Sequence, residues 1–228
     1  MPDTPSVVDP KTAHAWLHTA RFLTEAPQLH HLPALTVPEV AFVGRSNAGK
    51  STCINTLTQQ KRLAFASKTP GRTQSINLFN LGKHGETDAV LADLPGYGYA
   101  AVPQEAKRRW QQVMASYLVS RENLAGVVLL CDPRLGLTEL DEALLEVIRP
   151  RVEQGLPFLV LLTKADKLSR AEANKVLSIT RLQAGGGEAL LFSALKKQGL
   201  DAVAQRLWQW THPQPAGLQS PNATDAAP

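Results

Sequence analysis

The residues best suited to chemistry form one glycine-rich run, GRSNAGKS, which fits the pattern G-x-x-x-x-G-K-[ST]. The two glycines let the backbone turn sharply and approach an anion closely, so that backbone N–H groups and a helix N-terminus can surround phosphate oxygens. Lys50 would reach the β- and γ-phosphates as a point charge, and the Ser51 hydroxyl would ligate Mg2+. A purely structural glycine turn is the weaker alternative. The predicted phosphate-contacting residues are Gly44, Arg45, Ser46, Asn47, Ala48, Gly49, Lys50 and Ser51.

A second motif, D-x-x-G, is formed by Asp93-Leu94-Pro95-Gly96 after the apolar run 89–92. The Asp93 carboxylate could hold Mg2+ through a water molecule, and the Gly96 N–H could contact a γ-phosphate. Taken alone, D-x-x-G is equally typical of a simple turn. Its place downstream of the phosphate run favours the functional interpretation.

A third motif, Thr163-Lys164-Ala165-Asp166, could recognise guanine. Its carboxylate would accept from both N1–H and the exocyclic amine of guanine, whereas adenine would leave it unpaired at a cost of about 1–3 kcal/mol. The aliphatic part of Lys164 would lie along the base. In the run Phe192-Ser193-Ala194 a backbone N–H could donate to the guanine carbonyl oxygen. The alternative is that Lys164 and Asp166 form an ordinary surface pair.

The segment between the first two motifs holds a candidate for a second Mg2+ hydroxyl. Thr73 leads directly into a predicted strand, and its hydroxyl could ligate Mg2+ only while a γ-phosphate is present. Thr69 competes for this role, but the neighbouring Pro70 favours a turn. The loop is therefore predicted to order with the triphosphate and to release after hydrolysis. Its predicted nucleotide-contacting residues are Gly71, Arg72, Thr73, Gln74 and Ser75.

These motifs lie on an alternation of apolar strands and amphipathic helices. Strands are predicted at Val40–Val43, Ser75–Leu81, Ala89–Asp93, Gly126–Cys131, Phe158–Thr163 and Ala189–Phe192. Helices are predicted at Lys50–Gln59, Gln104–Ser120, Glu139–Glu153, Ser169–Leu182 and Leu200–Trp210, with a shorter helical pattern in 11–23 that leads into an irregular stretch. Several strand runs are apolar on both faces, which favours a three-layer α/β fold with a mainly parallel, six-stranded sheet. In such folds the functional loops lie at the carboxyl ends of the strands, where the three motifs fall.

Composition narrows the class of protein further. The chain has 228 residues, of which 43% are hydrophobic and 19% are charged, enough for the core of one α/β domain. We expect an N-terminal extension at 1–19, the domain at 20–211 and a disordered proline-rich tail at 212–228. No apolar run approaches the roughly 20 residues of a membrane span, and no signal peptide is visible, so a cytoplasmic protein is expected. The net charge of +4 permits a nucleic-acid partner without requiring one.

The chain resembles the EngB/YihA/YsxC family of bacterial GTP-binding proteins in five runs of matching order and spacing: GRSNAGKS, SKTPGRTQSIN, DLPGYGYA, TKAD and FSALKKQG. The match spans about residues 20–210 and includes the unusual Tyr97-Gly98-Tyr99. The resemblance implies a Ras-like P-loop GTPase fold, Mg2+-dependent binding of GTP and GDP, and a switch role in assembly of the large ribosomal subunit. It also implies a need for the protein in cell division and septation. We expect a ribosomal RNA partner, no DNA partner and a monomer.

Hydrolysis is predicted to depend on Lys50, Thr73, Gly96 and Asn47. Many small GTPases carry Gln directly after D-x-x-G to orient water, whereas the phenol of Tyr97 cannot replace an amide. Intrinsic hydrolysis is therefore expected to be slow, and Arg72 is the nearest candidate for a stabilising arginine. Related GTPases use the position of Asn47 to bind K+, with a turn role as an equal alternative. We expect a faster rate in K+ than in Na+, or with ribosomal particles.

Several basic clusters could contact ribosomal RNA phosphates, although charge runs are more often solvated surface. They are Lys61–Arg62, Arg72, Lys107–Arg108–Arg109 and Lys196–Lys197. Two other functions remain open. One is an interaction protein that binds nucleotide only for stability; the other is a kinase or ATPase, which would have to accept adenine against the preference of Asp166.

Overall fold

The computed structural model describes residues 8–64, 75–98, 104–185 and 187–213, apart from the side chains of Ala106, Lys107 and Trp110. The strands are β1 Arg21–Ala26, β2 Glu39–Gly44, β3 Ile76–Leu81, β4 Ala89–Asp93, β5 Leu124–Cys131, β6 Phe158–Leu162 and β7 Glu188–Leu191. The α-helices are α1 Pro10–Leu17, α2 Lys50–Leu57, α3 Gln104–Ser120, α4 Glu139–Glu153, α5 Arg170–Gln183 and α6 Leu200–Thr211. Short 3-10 turns occur at Leu29–His31 and Ala165–Lys167.

The strands form one seven-stranded sheet in the order β1-β3-β4-β2-β5-β6-β7. Strands β4, β2, β5, β6 and β7 are parallel to one another, whereas β3 runs antiparallel to both β4 and β1. The predicted α/β fold class is confirmed, but the predicted count of six strands is wrong. The extra strand is β1, which lies at the edge of the sheet and is largely exposed. A register shift between Phe22 and Thr24 interrupts its pairing with β3, so the sequence lacks the alternation that marks a strand.

The central strands are apolar on both sides because helices cover both faces of the sheet. Alternate residues of β2 face opposite layers: Val40 and Phe42 pack towards α1, α2 and α6, whereas Ala41 and Val43 pack towards α3, α4 and α5. Every residue of β2, β4 and β6 is buried. This packing holds the carboxyl ends of the parallel strands in fixed positions, and the motif loops follow from those ends.

Helix α1 packs against α6 on one face of the sheet. Its Trp16 is almost fully buried and donates a hydrogen bond to Asp88 at 2.8 Å. In α6, Trp210 lies over Gly126 of β5, where a Cβ atom would come within 2.2 Å of the indole. Part of the segment predicted as an N-terminal extension therefore contributes to the core. No helix within the described ranges is both long and apolar enough to cross a bilayer.

A buried polar group fastens the amino-terminal end of β2, at the edge of the sheet away from the motif loops. The Glu39 side chain is inaccessible to solvent and accepts hydrogen bonds from Arg121 Nε and Nη2, both at 2.9 Å. The hydroxyl of Tyr117, in α3, donates to the same carboxylate. Burial, with Glu39 beside it, holds the pKa of Tyr117 well above its ordinary value, so this phenol remains a donor.

Candidate functional site

The phosphate run forms a tight loop between β2 and α2, as predicted. At Gly44, φ is +154° and a Cβ atom would lie 2.6 Å from the Leu130 carbonyl oxygen. Gly49 has φ +96° and precedes the first residue of α2, a backbone conformation that favours glycine. The two glycines therefore allow the loop to approach β5 and then to turn directly into a helix N-terminus, the arrangement that phosphates bind.

At the start of α2, Lys50 forms an ion pair with Asp93 at the end of β4. Both side chains are largely buried, with exposed fractions of 11% and 6%. Ser51 follows in the same helical turn and is half-buried. The structure thus brings together a cation, a carboxylate and a hydroxyl that the sequence assigned to phosphate and Mg2+ chemistry.

The D-x-x-G loop lies directly against the phosphate loop. The Ser46 N–H donates to the Tyr97 carbonyl oxygen at 2.8 Å, and the Tyr97 N–H donates to Gly44 O at 3.4 Å. A Cβ atom on Gly96 would lie 3.1 Å from Ser46 N. Leu94 is buried, Pro95 is half-buried and Gly96 is exposed. Gly96 is therefore the exposed residue of this motif and stands beside the phosphate loop.

Tyr97 turns into the protein rather than towards the phosphate loop. Its side chain is buried beneath α4, and its hydroxyl donates to Asp141. Burial, followed by the nearby Asp141 carboxylate, raises the pKa of Tyr97 far above its ordinary value. The phenol that replaces the usual glutamine is therefore held away from the phosphate end of the site.

The third motif, Thr163–Asp166, donates hydrogen bonds directly to the phosphate loop. Thr163 Oγ1 donates to the Ala48 carbonyl oxygen at 2.6 Å, and Lys164 Nζ donates to the Asn47 carbonyl oxygen at 3.0 Å. Lys164 and Asn47 both have positive φ, 53° and 65°. The structure thus places the two predicted halves of the site side by side.

Asp166 is positioned by the loop that follows β7. Ser193 Oγ donates to Asp166 Oδ1 at 2.5 Å, and the Ala165 N–H donates to Phe192 O at 3.0 Å. The hydrogen bond from Ser193 lowers the pKa of Asp166, so the carboxylate is ionised and can only accept. The Ser193 N–H is engaged with Gln198 O at 3.1 Å, which leaves the adjacent Ala194 as the better candidate for a donor to guanine.

Sequence reasoning missed Asp132, the first residue after β5. Its carboxylate accepts from Lys164 Nζ at 3.1 Å and from Arg134 Nε and Nη2 at 2.9 and 2.6 Å. The bonds from Arg134 and then Lys164 hold the pKa of Asp132 well below its ordinary value. Its position at the carboxyl end of a central strand was the signal that could have identified it.

Several predicted site residues lie outside the described residues: Thr69, Pro70, Gly71, Arg72, Thr73, Gln74, Tyr99 and the side chain of Lys107. Ser75 is described and is half-buried just before β3. The basic clusters do not share one edge. Lys196 and Lys197 are exposed beside Ser193, whereas Lys61 follows Gln60, which bonds to Ala20 next to the first residue of β1, at the opposite edge.

Comparisons with known proteins agree with this geometry. A family model described as "50S ribosome-binding GTPase" matches residues 39–164. A "Probable GTP-binding protein EngB" from Polaromonas sp. is 76% identical over 210 residues, covering 92% of this chain and 85% of the relative. A protein of the same name from Acidovorax ebreus is 80% identical over 198 residues, covering 87% and 91%. The solved structure of "a probable GTP-binding protein engB" has a TM-score of 0.60 at 19% identity, covering 77% of this chain and 99% of that one, a likeness in fold.

Proposed function

Because the chain belongs to the EngB family of GTP-binding proteins, we propose that it binds GTP and GDP at the carboxyl edge of the sheet and hydrolyses GTP to GDP and phosphate. The observation that supports the proposal is that the guanine-reading motif donates hydrogen bonds directly to the phosphate loop. Thr163 and Lys164 each donate to a carbonyl of the phosphate loop, at 2.6 and 3.0 Å. One nucleotide can therefore place its phosphates on residues 44–51 and its base against Asp166.

The described residues of the phosphate half include a cation, a carboxylate and a hydroxyl suited to a triphosphate and Mg2+. Lys50 pairs with Asp93 at the mouth of the phosphate loop. Lys50 would contact the β- and γ-phosphates, and the Asp93 carboxylate would hold metal-bound water. Ser51 supplies the direct hydroxyl ligand, and Thr73, outside the described residues, is the proposed second one. When bound, Mg2+ neutralises charge on the β- and γ-phosphate oxygens.

Hydrolysis requires water to attack the γ-phosphorus while the bond to the β-phosphate oxygen breaks. Lys50 and the Gly96 N–H stabilise the charge that develops on the phosphate oxygens. The side chain after D-x-x-G does not orient the water, because the Tyr97 hydroxyl is bonded to Asp141. We therefore propose slow intrinsic turnover that a partner accelerates, and retain the prediction that K+ held at Asn47 stimulates it.

We also propose that the nucleotide state controls docking on a precursor of the large ribosomal subunit through ribosomal RNA phosphates. The family model's own description, "50S ribosome-binding GTPase", supports this partner. The proposal includes action in the cytoplasm as a monomer, with cell division and septation depending on ribosome assembly.

The alternative function, a nucleotide-stabilised interaction protein without turnover, is favoured by one observation, the inward position of Tyr97. Multiple-turnover release of phosphate in the presence of ribosomal particles separates the two functions. Sustained release supports the GTPase switch, and the absence of release above the background supports the alternative.

Calorimetry of the full chain with Mg2+ tests nucleotide binding directly. We expect GDP to bind and ADP to bind far more weakly, because Asp166 would be left without its donors. Asp166→Asn should weaken GDP binding by about 5- to 150-fold, the equivalent of about 1–3 kcal/mol. Asp201→Asn is the matched control, since this exposed carboxylate pairs with His14 on α1 and not with a residue of the site. Absence of heat with GDP, or equal heat with ADP, would contradict the proposed function.

A further inference from the structure

A buried polar cluster joins the D-x-x-G loop to the first turn of α4. The exposed fraction of Asp141 is 1%, and both of its carboxylate oxygens are used. Oδ1 accepts from the Tyr97 hydroxyl at 2.5 Å. Oδ2 accepts from the N–H and the Oγ1 of Thr138, at 2.8 and 2.7 Å, which forms the capping box that begins α4. One carboxylate thus fastens both a helix end and the residue that follows Gly96.

As a result, both the main chain and the side chain of Tyr97 are held by hydrogen bonds. Its main chain is bonded to the phosphate loop through Ser46 and Gly44, at 2.8 and 3.4 Å. Its side chain is bonded to Asp141, and its pKa is raised by burial and by that carboxylate, so the phenol keeps the proton that it donates. Gly96 precedes this doubly fastened residue and has little freedom to move away from the phosphate loop.

A charged side chain of the phosphate run also packs against the loop that carries Tyr97. Arg45, the second residue of the phosphate run, extends beside the same loop, and a Cβ atom on Gly98 would lie 3.1 Å from its Nε. Among the described residues, this Nε is a buried donor without a hydrogen-bond partner.

We propose that Asp141 is a positioning residue that acts through the Tyr97 hydroxyl to hold the Gly96 N–H where a γ-phosphate is recognised. The inference rests on the proposed function and deepens it, because it assigns part of the relative affinity for GTP and GDP to a contact beneath α4. A group that only the triphosphate meets should affect binding of the triphosphate alone. The Tyr97–Asp141 contact therefore sets the ratio of the two affinities and leaves the affinity for GDP unchanged.

The chain offers a matched control in Tyr117, the other described tyrosine that donates to a buried carboxylate. Tyr117 and Glu39 are both fully buried, but Glu39 is the first residue of β2, at the end of the strand opposite to the phosphate loop. Tyr97→Phe and Tyr117→Phe each remove one buried hydroxyl from one buried carboxylate. Both should lower the midpoint of thermal unfolding, so a general loss of stability can be distinguished from an effect on Gly96.

The test is calorimetry of the full chain and its variants with GDP and with a nonhydrolysable GTP analogue, at fixed Mg2+. For Tyr97→Phe we expect the analogue to lose affinity by about 3- to 10-fold, within the range of one neutral hydrogen bond because the contact acts on the γ-phosphate only through Gly96, while GDP changes less than about twofold. Tyr117→Phe should leave the ratio of the two affinities unchanged. Asp141→Asn, which keeps an acceptor but loses the charge, is the second variant and should shift the ratio in the same direction.

Three outcomes would overturn the inference: an unchanged ratio in a folded Tyr97→Phe variant, an equal loss for both nucleotides, or the same shift in Tyr117→Phe. Failure of the wild-type chain to bind GDP would instead contradict the proposed function. The two failures are therefore distinguishable in one set of titrations.

Discussion

At the scale of single residues, the position of Lys164 depends on a neighbour that no motif contains. Lys164 has φ 53°, uncommon for a residue with a side chain, and its ammonium lies between the Asn47 carbonyl and Asp132. Its aliphatic part can lie along a guanine base only while the ammonium is anchored. Asp132 is therefore expected to contribute to base binding without touching the base.

Asp132→Asn should weaken GDP binding by about 2- to 5-fold, a modest effect because Lys164 is partly exposed to solvent. Calorimetry measures the change, and Arg134→Gln is the control, since Arg134 bonds to Asp132 but is 53% exposed and is not bonded to Lys164. If Arg134→Gln weakens GDP binding and Asp132→Asn does not, Asp132 has no role in base binding.

The pH dependence of this contact has a definite sign. The pKa of Asp132 is lowered in the folded chain, so its contribution is present above the ordinary carboxyl pKa of about 3.9 and is lost only as pH falls through the lowered value. The difference in affinity between wild type and Asp132→Asn should therefore be equal at pH 8 and pH 5.5.

At the scale of elements, the buried ion pair between Glu39 and Arg121 fastens β2 to the residue that follows α3. Arg121→Met would leave Glu39 buried without its cation, and we expect a loss of about 3–5 kcal/mol in the free energy of unfolding. Urea denaturation measures it. The triple change Glu39→Leu, Arg121→Met and Tyr117→Phe removes both charges and the hydroxyl that donates to Glu39, and it should recover most of the loss, because the cost of desolvating the pair is similar to the stabilisation that the pair provides. A loss below about 1 kcal/mol in the single variant would show that water reaches Glu39.

The elements that the sequence predicted are those whose own residues determine their structure. Helices α3 and α4 begin and end at the predicted residues, since the amphipathic period and the capping box at Thr138 are local signals. Strand β1 was missed because its exposed side chains and interrupted register depend on pairing with β3, a distant segment.

The residues of the candidate site also fall into those that the sequence could predict and those that it could not. Gly44 to Ser51, Asp93 to Gly96 and Thr163 to Asp166 could be identified because phosphate and base chemistry require particular residue types at fixed spacing. Asp132 and Asp141 were not, because each acts through a second residue on another element. The sequence shows that Tyr97 replaces the usual glutamine. The inward orientation of its side chain depends on a contact with α4, which motif spacing does not predict.

At the scale of the whole molecule, the proposed switch must convert the nucleotide state into a change on a surface. Helix α3 follows the segment after the D-x-x-G loop, and its exposed Arg108 and Arg109 stand at the end of the helix nearer that loop. Because α3 is the next helix after this loop, a γ-phosphate contacted at Gly96 would act on the start of α3 and hence on the cations presented to ribosomal RNA. Exposed cations contribute to RNA affinity by releasing counterions from the phosphates, so their contribution is strongly salt-dependent.

Sedimentation with large-subunit precursors tests this arrangement under GDP and under a nonhydrolysable GTP analogue. We expect association that differs between the two nucleotides, and Arg108→Glu with Arg109→Glu should weaken it and flatten its salt dependence while GDP affinity is unchanged. The matched control, Lys61→Glu with Arg62→Glu, makes the same change in net charge in the segment after Gln60, which donates a hydrogen bond to Ala20 next to β1, and should retain association. If both double variants weaken association equally, the effect belongs to net charge rather than to α3, because long-range attraction does not distinguish one edge of the molecule from the other. If neither does, the cations of α3 lie outside the contact and the nucleotide-dependent surface must be sought elsewhere at the carboxyl edge.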